Sequence, residues 1–348
     1  MENMIKNSKI RSSSSSIITG DGHHQELQNK IEKLLTTLPR EYIHGLPHFQ
    51  YEGAWYPSMA VPGVISSQQL FQADESDIIL ATLPKSGTTW LKSLIFSIVN
   101  RNRYAPKDSP LLSIHPHDLV CNIELEHFRD GVPQHLEQLS RPRIFNTHVP
   151  YASLPSSIMA SNCRIVCVCR NPMDNIVSYW HFVSSIYKSF FIQPNPIDEL
   201  FDKYCQGVHY YGPFWDHNLG YWKASLEKPK NMLFMTYEDL KEDIHFQTKR
   251  LAAFLGFPFS KQEEDEGLIE EISRLCSLRN LKSLDINKRG LNKLNLPVSA
   301  YFRKGEVGDY ANHLTPSMVQ KLNKVVLQKF AGSGLVLKLK IQNNSATE

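Results

Sequence analysis

Residues 77–101 read DIILATLPKSGTTWLKSLIFSIVNR: an apolar run, a short turn, then an amphipathic stretch. The run "DIILATL" is too short for a helix and stops at Pro84, which predicts a strand buried on both faces. Beyond the turn, Trp90, Leu91, Leu94, Ile95, Ile98 and Val99 recur near the helical period and predict a helix. In an open α/β sheet, ligands bind past the carboxyl ends of the strands, where loops feed helix N-termini, and "LPKSGTTW" (83–90) lies at such a point. Gly87 lets backbone amides approach an anion, and the helix offers free N–H groups and the positive end of its dipole. Lys85, Thr88 and Thr89 add a charge and two hydroxyls, completing a cradle for a phosphate-class anion. The ATP-binding pattern GxxxxGK(S/T) is absent here, because Lys85 precedes Gly87 and no Lys-Ser or Lys-Thr pair follows to place a hydroxyl on magnesium.

The same grammar recurs. "RIVCVCR" (164–170) predicts a buried strand, with Cys167 and Cys169 on one face, and "MDNIVSYWHFVSSIY" a helix with Asn171 as N-cap and Pro172 at its first position. "NMLFMTYEDL" (231–240) leads into the helical "FQTKRLAAFLG" (246–256), with Gly256 as its C-cap, and "RIFNTHVP" (143–150) adds another strand. Upstream, Leu27, Ile31, Leu34 and Leu35 predict a helix ending before Pro39, and "LPHFQYEGAWYPSMAVPGVI" (46–65) reads as an aromatic and proline-rich loop. Alternating strands and helices predict an α/β fold: a single domain with a central, mainly parallel sheet flanked by helices on both faces. The expected domain spans 26–340, between disordered tails at 1–25 and 341–348.

Composition narrows the function. The 348 residues are 41% hydrophobic and 21% charged, with a net charge of +3, too small on so long a chain to argue for nucleic acid as a partner. The six cysteines have neither the density of a disulfide scaffold nor CxxC spacing, so reduced thiols in a cytoplasmic protein are expected. No apolar run approaches the roughly 20 residues of a membrane span, and the N-terminus lacks the apolar core of a secretory signal. Its serine-rich, basic composition also suits a transit peptide.

Three stretches, "LPKSGTTWLKSL", "CRNPMDNIVSYWHF" and "FRKGEVGDYANHLTPSM", stand in an order that resembles the cytosolic sulfotransferases, and "GPFWDH", "FMTYEDLK" and "RKGEVGD" are similar to the plant members. The resemblance runs from about residue 45 to about 335. It implies metal-independent transfer of a sulfuryl group from 3′-phosphoadenosine 5′-phosphosulfate (PAPS) to a hydroxyl of a small molecule. By the same resemblance the loop residues Lys85, Ser86, Gly87, Thr88 and Thr89 hold the phosphosulfate, Arg170 and Ser178 hold the 3′-phosphate, and Arg303, Lys304 and Gly305 close over it. Trp90 and Tyr237 fall to the nucleoside, and His148 to the general base, with Lys85 stabilising the leaving group. Read without the resemblance, Arg303 and Lys304 suit a solvated loop, His148 a structural strand end, and Trp90 and Tyr237 the core.

Asn146 stands where animal members carry a lysine, and the C-terminal wording departs from their dimerisation pattern, leaving a monomer or weak homodimer. Aromatic stretches "YEGAWYP" and "HYYGPFW" suit either an apolar acceptor slot or core packing, and the resemblance to plant members implies a flavonoid or other phenol first, then a steroid, hydroxyjasmonate or desulfoglucosinolate. A nucleotide kinase and a non-catalytic nucleotide-binding protein are the rival classes. The unifying expectation is that two cationic clusters, one at Lys85 and one at Arg170 with Arg303, grip opposite ends of one nucleotide.

Overall fold

The structure, a computed structural model, describes residues 21–129, 136–189, 191, 193, 194 and 196–339. The tails expected at 1–25 and 341–348 lie outside these, apart from 21–25, which belong to the Asp21–Leu35 helix. Seven strands are seen among the described residues: β1 (Arg40–Ile43), β2 (Leu46–Tyr51), β3 (Ala54–Pro57), β4 (Ile78–Thr82), β5 (Ile144–Thr147), β6 (Arg164–Cys169) and β7 (Met232–Thr236). The last four form a parallel sheet in the order β5-β4-β6-β7.

Side chains alternate across this sheet and divide the interior in two. Ile79, Ala81, Ile165, Cys167, Cys169 and Phe234 face one core, which α2 (Pro172–Ser189) and α3 (Phe214–Glu227) cover with Ile176, Val177, Phe214 and Tyr221. Ile78, Leu80, Val166, Val168, Leu233 and Met235 face the other, covered by α1 (Thr88–Asn100) and α4 (Ile244–Phe254) through Leu91, Leu94, Ile95 and Leu251. Burial on both faces is why β4, β6 and β7 are close to unbroken apolar runs. Cys167 and Cys169 are free, buried and on one face, as expected. Asn171 caps α2, its Oδ1 accepting from the Asp174 amide at 2.8 Å, and Gly256 takes φ 79° just past α4.

The stretch 46–65 is not a loop. It holds β2 and β3, which join β1 in an antiparallel sheet, and the first half of the Val61–Leu70 helix. Two short turns make this possible: His44-Gly45 at φ 51° and 71°, and Glu52-Gly53 at φ 48° and 81°. Positive φ at both central residues gives a turn whose twist matches the flanking strands. This small sheet is tied to the 211–212 segment, because Trp55 N–H donates to the Gly212 carbonyl (2.9 Å) and Tyr211 N–H to the Trp55 carbonyl (2.7 Å).

Candidate active site

β4 delivers the 83–87 turn at its carboxyl end, as the sequence requires. Lys85 takes φ 70° and Gly87 φ 110°. A Cβ on Gly87 would lie 2.9 Å from Tyr237 Cδ2, so the ring closes against the turn only because position 87 has no side chain. The Lys85 ammonium sits 3.9 Å from the centroid of Phe182 and 5.4 Å from that of Tyr301. Burial, and then the charges of Arg170 and Arg303, draw its pKa down to about 7. Thr88 Oγ1 bonds Thr82 Oγ1 at 2.7 Å, and Thr89 Oγ1 lies 2.9 Å from His117 Nε2. The Ser86 hydroxyl is buried and accepts from Asn175 Nδ2 (3.1 Å), whose other bond goes to the Pro84 carbonyl (2.9 Å).

His148 follows β5, the neighbour of β4, and its ring turns toward the same sheet end. Nδ1 lies 2.7 Å from the Thr82 carbonyl oxygen. A carbonyl only accepts, so Nδ1 carries the hydrogen and Nε2 is left with its lone pair. The backbone is fixed from two sides: His148 N–H donates to Glu124 Oε1 (2.9 Å), and its carbonyl accepts from His217 Nε2 (3.2 Å). Glu124 also accepts from Thr147 Oγ1 (3.0 Å) and Asn122 Nδ2 (3.2 Å). Burial, followed by the Lys92, His217 and Lys85 charges, outweighs the Thr82 bond and lowers the His148 pKa to about 3, so the ring is neutral. Tyr211 flanks it, ring centroids 5.3 Å apart. Asn146 donates to the Leu80 carbonyl at 3.1 Å, tying β5 to β4.

The second cationic cluster meets the first. Arg170, at the end of β6, donates to the Lys85 carbonyl (3.3 Å) and the Glu306 carbonyl (3.0 Å). Its guanidinium lies 4.4 Å from the centroid of Tyr237, while its Nε is buried without a partner among the described residues. Tyr237 OH donates to the Gly305 carbonyl at 3.0 Å, and its ring meets Trp90 edge-on at 5.6 Å. Tyr237 thus touches three of the predicted segments. Arg303 and Lys304 both pair with the buried carboxylate of Asp309, Lys304 at 2.7 Å. Ser178 is half-buried on α2, one turn before Phe182.

Several residues that shape this site went unread in the sequence. Asp174, in the first turn of α2, accepts from the amides of Gly308 (2.7 Å) and Tyr310 (3.0 Å), tying the 303–310 segment to the sheet end. Asn175, Phe182, Glu124, Tyr301 and Asp309 are the others. Only Phe182 carried a signal, its four-residue offset from Ser178 on one helix face.

This geometry can be set beside known proteins. A sulfotransferase domain family model matches residues 75–334. The chain is similar to cytosolic sulfotransferase 15 of Arabidopsis thaliana, 42% identical over 318 residues that cover 90% of this chain and 88% of that protein. It is 43% identical to cytosolic sulfotransferase 11 of the same plant, over 91% of this chain and 89% of the relative. An Arabidopsis thaliana crystal structure, provisionally named a steroid sulphotransferase, superposes with a TM-score of 0.71 at 34% identity, covering 93% of this chain and all of that one (100%). A mouse sulfotransferase complexed with PAP gives 0.64 at 26% identity, over 82% of this chain and 95% of its own.

Proposed function

This chain belongs to the sulfotransferase family, and on that premise we propose that it sulfates a flat phenolic acceptor, a flavonoid by preference, with His148 as general base and Lys85 at the leaving group. PAPS is the co-substrate of this enzyme class. The acceptor hydroxyl gives its proton to His148 Nε2 as its oxygen bonds to sulfur. The bond from sulfur to the bridging oxygen breaks, and the electron pair leaves with adenosine 3′,5′-diphosphate, where the Lys85 ammonium meets the growing charge. The remaining loop residues, Ser86 to Trp90, with Arg170, Ser178, Tyr237 and Arg303 to Gly305, hold the nucleotide. Positioning and electrostatics supply most of the catalysis, as in phosphoryl transfer.

One observation carries this reading: the Nδ1–H bond to the Thr82 carbonyl presents Nε2 as a base at the sheet end that bears Lys85. The same ring supports a phenol over an alcohol. His148, half-buried and with its pKa lowered by desolvation, is a weak base, and a phenol, with a pKa of about 10, gives up its proton more readily than an aliphatic alcohol by about five units. Tyr211, and Tyr56 edge-on to it at 5.5 Å, are buried and pack behind the base. The names of the plant relatives favour a cytosolic enzyme, and we take residues 26–340 as its functional unit.

The test is a panel of phenols, steroids and aliphatic alcohols incubated with PAPS and read by the mass gain of one sulfuryl group. Sulfated phenols are expected. Transfer to steroids alone would replace the acceptor, and transfer to none of them would remove the catalytic reading.

A further inference from the structure

We propose that Lys92 and His117 form a buried relay that holds the Thr89 hydroxyl as a donor toward the 5′-phosphate of the bound nucleotide, an inference that rests on the sulfotransferase reading of the 83–90 loop. Lys92 lies three residues after Thr89 on α1, so both side chains share a helix face. It is fully buried, at 0% exposure, and its Nζ lies 3.0 Å from His117 Nδ1. The opposite ring nitrogen, Nε2, lies 2.9 Å from Thr89 Oγ1. The ring is held between Tyr301, with centroids 4.2 Å apart, and His115, at 5.3 Å.

The polarity of this chain follows from its first member. An ammonium has three hydrogens and no lone pair, so His117 Nδ1 accepts. A neutral imidazole then carries its one hydrogen on Nε2 and donates it to Thr89 Oγ1. The threonine's own hydrogen is thereby left for an outside acceptor. Burial and the charge of Lys92 hold His117 well below the usual histidine range, which keeps the ring singly protonated. Thr88 differs, since its hydroxyl is shared with Thr82.

The electrostatics point the same way. A buried ammonium is costly without an opposite charge, yet no carboxylate among the described residues forms an ion pair with Lys92. Glu126, Glu124 and Asp118 act on it from farther off. An anion received by the loop would supply the missing countercharge, and the relay carries polarisation to it through two hydrogen bonds. Lys92 and His117 touch no ligand themselves and are positioning residues.

The experiment compares calorimetric binding of adenosine 3′,5′-diphosphate and adenosine 3′-monophosphate, which lacks the group the relay addresses. Lys92→Met is expected to weaken the diphosphate by about tenfold, the scale of a hydrogen bond to a charged group, and to leave the monophosphate within about twofold. His117→Gln keeps an acceptor and a donor in place of the two ring nitrogens and should stay within about threefold of the parent, whereas His117→Phe should match Lys92→Met. Added to Thr89→Ala, Lys92→Met should cost nothing more, because it acts through that hydroxyl. If both nucleotides weaken alike, or if His117→Gln and His117→Phe behave alike, the pair is packing and the relay is wrong. Should Lys92→Met fail to fold, the two His117 variants carry the test. A parent protein that does not distinguish the two nucleotides would overturn the nucleotide reading of the loop instead.

Discussion

In the proposed reaction His148 and Lys85 both depend on burial. Burial favours the uncharged form of each, which leaves His148 a neutral ring with a free nitrogen and brings Lys85 close to losing its proton. An anionic nucleotide beside them restores the countercharge that raises both. His148→Ala should therefore lower kcat by at least about 100-fold, the scale of a lost general base, while affinity for adenosine 3′,5′-diphosphate is kept. Turnover that survives the change would remove His148 from its role. Lys85 gives a separate pH signature. The kcat/KM for PAPS reports groups of the free enzyme, and Lys85 is charged only below its pKa of about 7, so kcat/KM should fall as pH rises through that value. Lys85→Arg, which keeps its charge, should move this limb out of the accessible range. A limb that persists unchanged in the variant belongs to another group.

At the scale of elements, α2 and the 303–310 segment are joined by one carboxylate. Asp174 accepts from Gly308 N–H, Tyr310 N–H and Asn171 Nδ2, the last at 2.9 Å. In Asp174→Asn one oxygen becomes an amide group that faces an N–H donor whichever way it turns, a loss of about 2 kcal/mol at the joint. The segment carrying Arg303 and Lys304 loosens, so adenosine 3′,5′-diphosphate should bind about tenfold more weakly, while adenosine 5′-monophosphate, without the 3′-phosphate, should be unchanged. Equal losses for both would mean that the joint supports the whole site.

The same elements explain what the sequence revealed. β4, β6 and β7 were legible because strands buried on both faces are largely apolar runs, β5 because its short run leads into the Pro150 turn, and each site residue taken from them stands at a strand end. β1 to β3 were hidden: Pro47 and Pro57 imitate loop punctuation, and His48, buried at 0% exposure, breaks the expected pattern. Glu124, Tyr301 and Lys92 with His117 were out of reach for another reason. Their roles arise from contacts between distant segments, such as Glu124 with His148, and no local spacing encodes those.

Across the whole molecule the two ends of the parallel sheet have separate tasks. The carboxyl ends of β4, β5, β6 and β7 lead to Lys85, His148, Arg170 and Tyr237. At the opposite edge, Arg143 and Asp77, the residues just before β5 and β4, form a buried pair, with Arg143 Nε to Asp77 Oδ1 at 2.7 Å. Arg143 also donates to the Gln72 carbonyl at 3.0 Å, and Asp77 Oδ2 accepts from Asp74 N–H at 2.8 Å. With every partner present, this cluster fastens the start of two adjacent strands. Asp77→Asn removes the countercharge of a guanidinium that stays buried, and should destabilise the fold by about 3 kcal/mol, read as a lower urea midpoint with an unchanged m-value. The site lies a strand length away, so the folded fraction should bind adenosine 3′,5′-diphosphate with the parent affinity and keep its kcat. Distant substitutions add independently when they share no partner, and the double variant Asp77→Asn with His148→Ala should accordingly show the sum of the two separate effects. A change in nucleotide affinity on Asp77→Asn alone would show that strain at the amino edge passes along β4 into the loop, and that the two ends of the sheet are one mechanical unit.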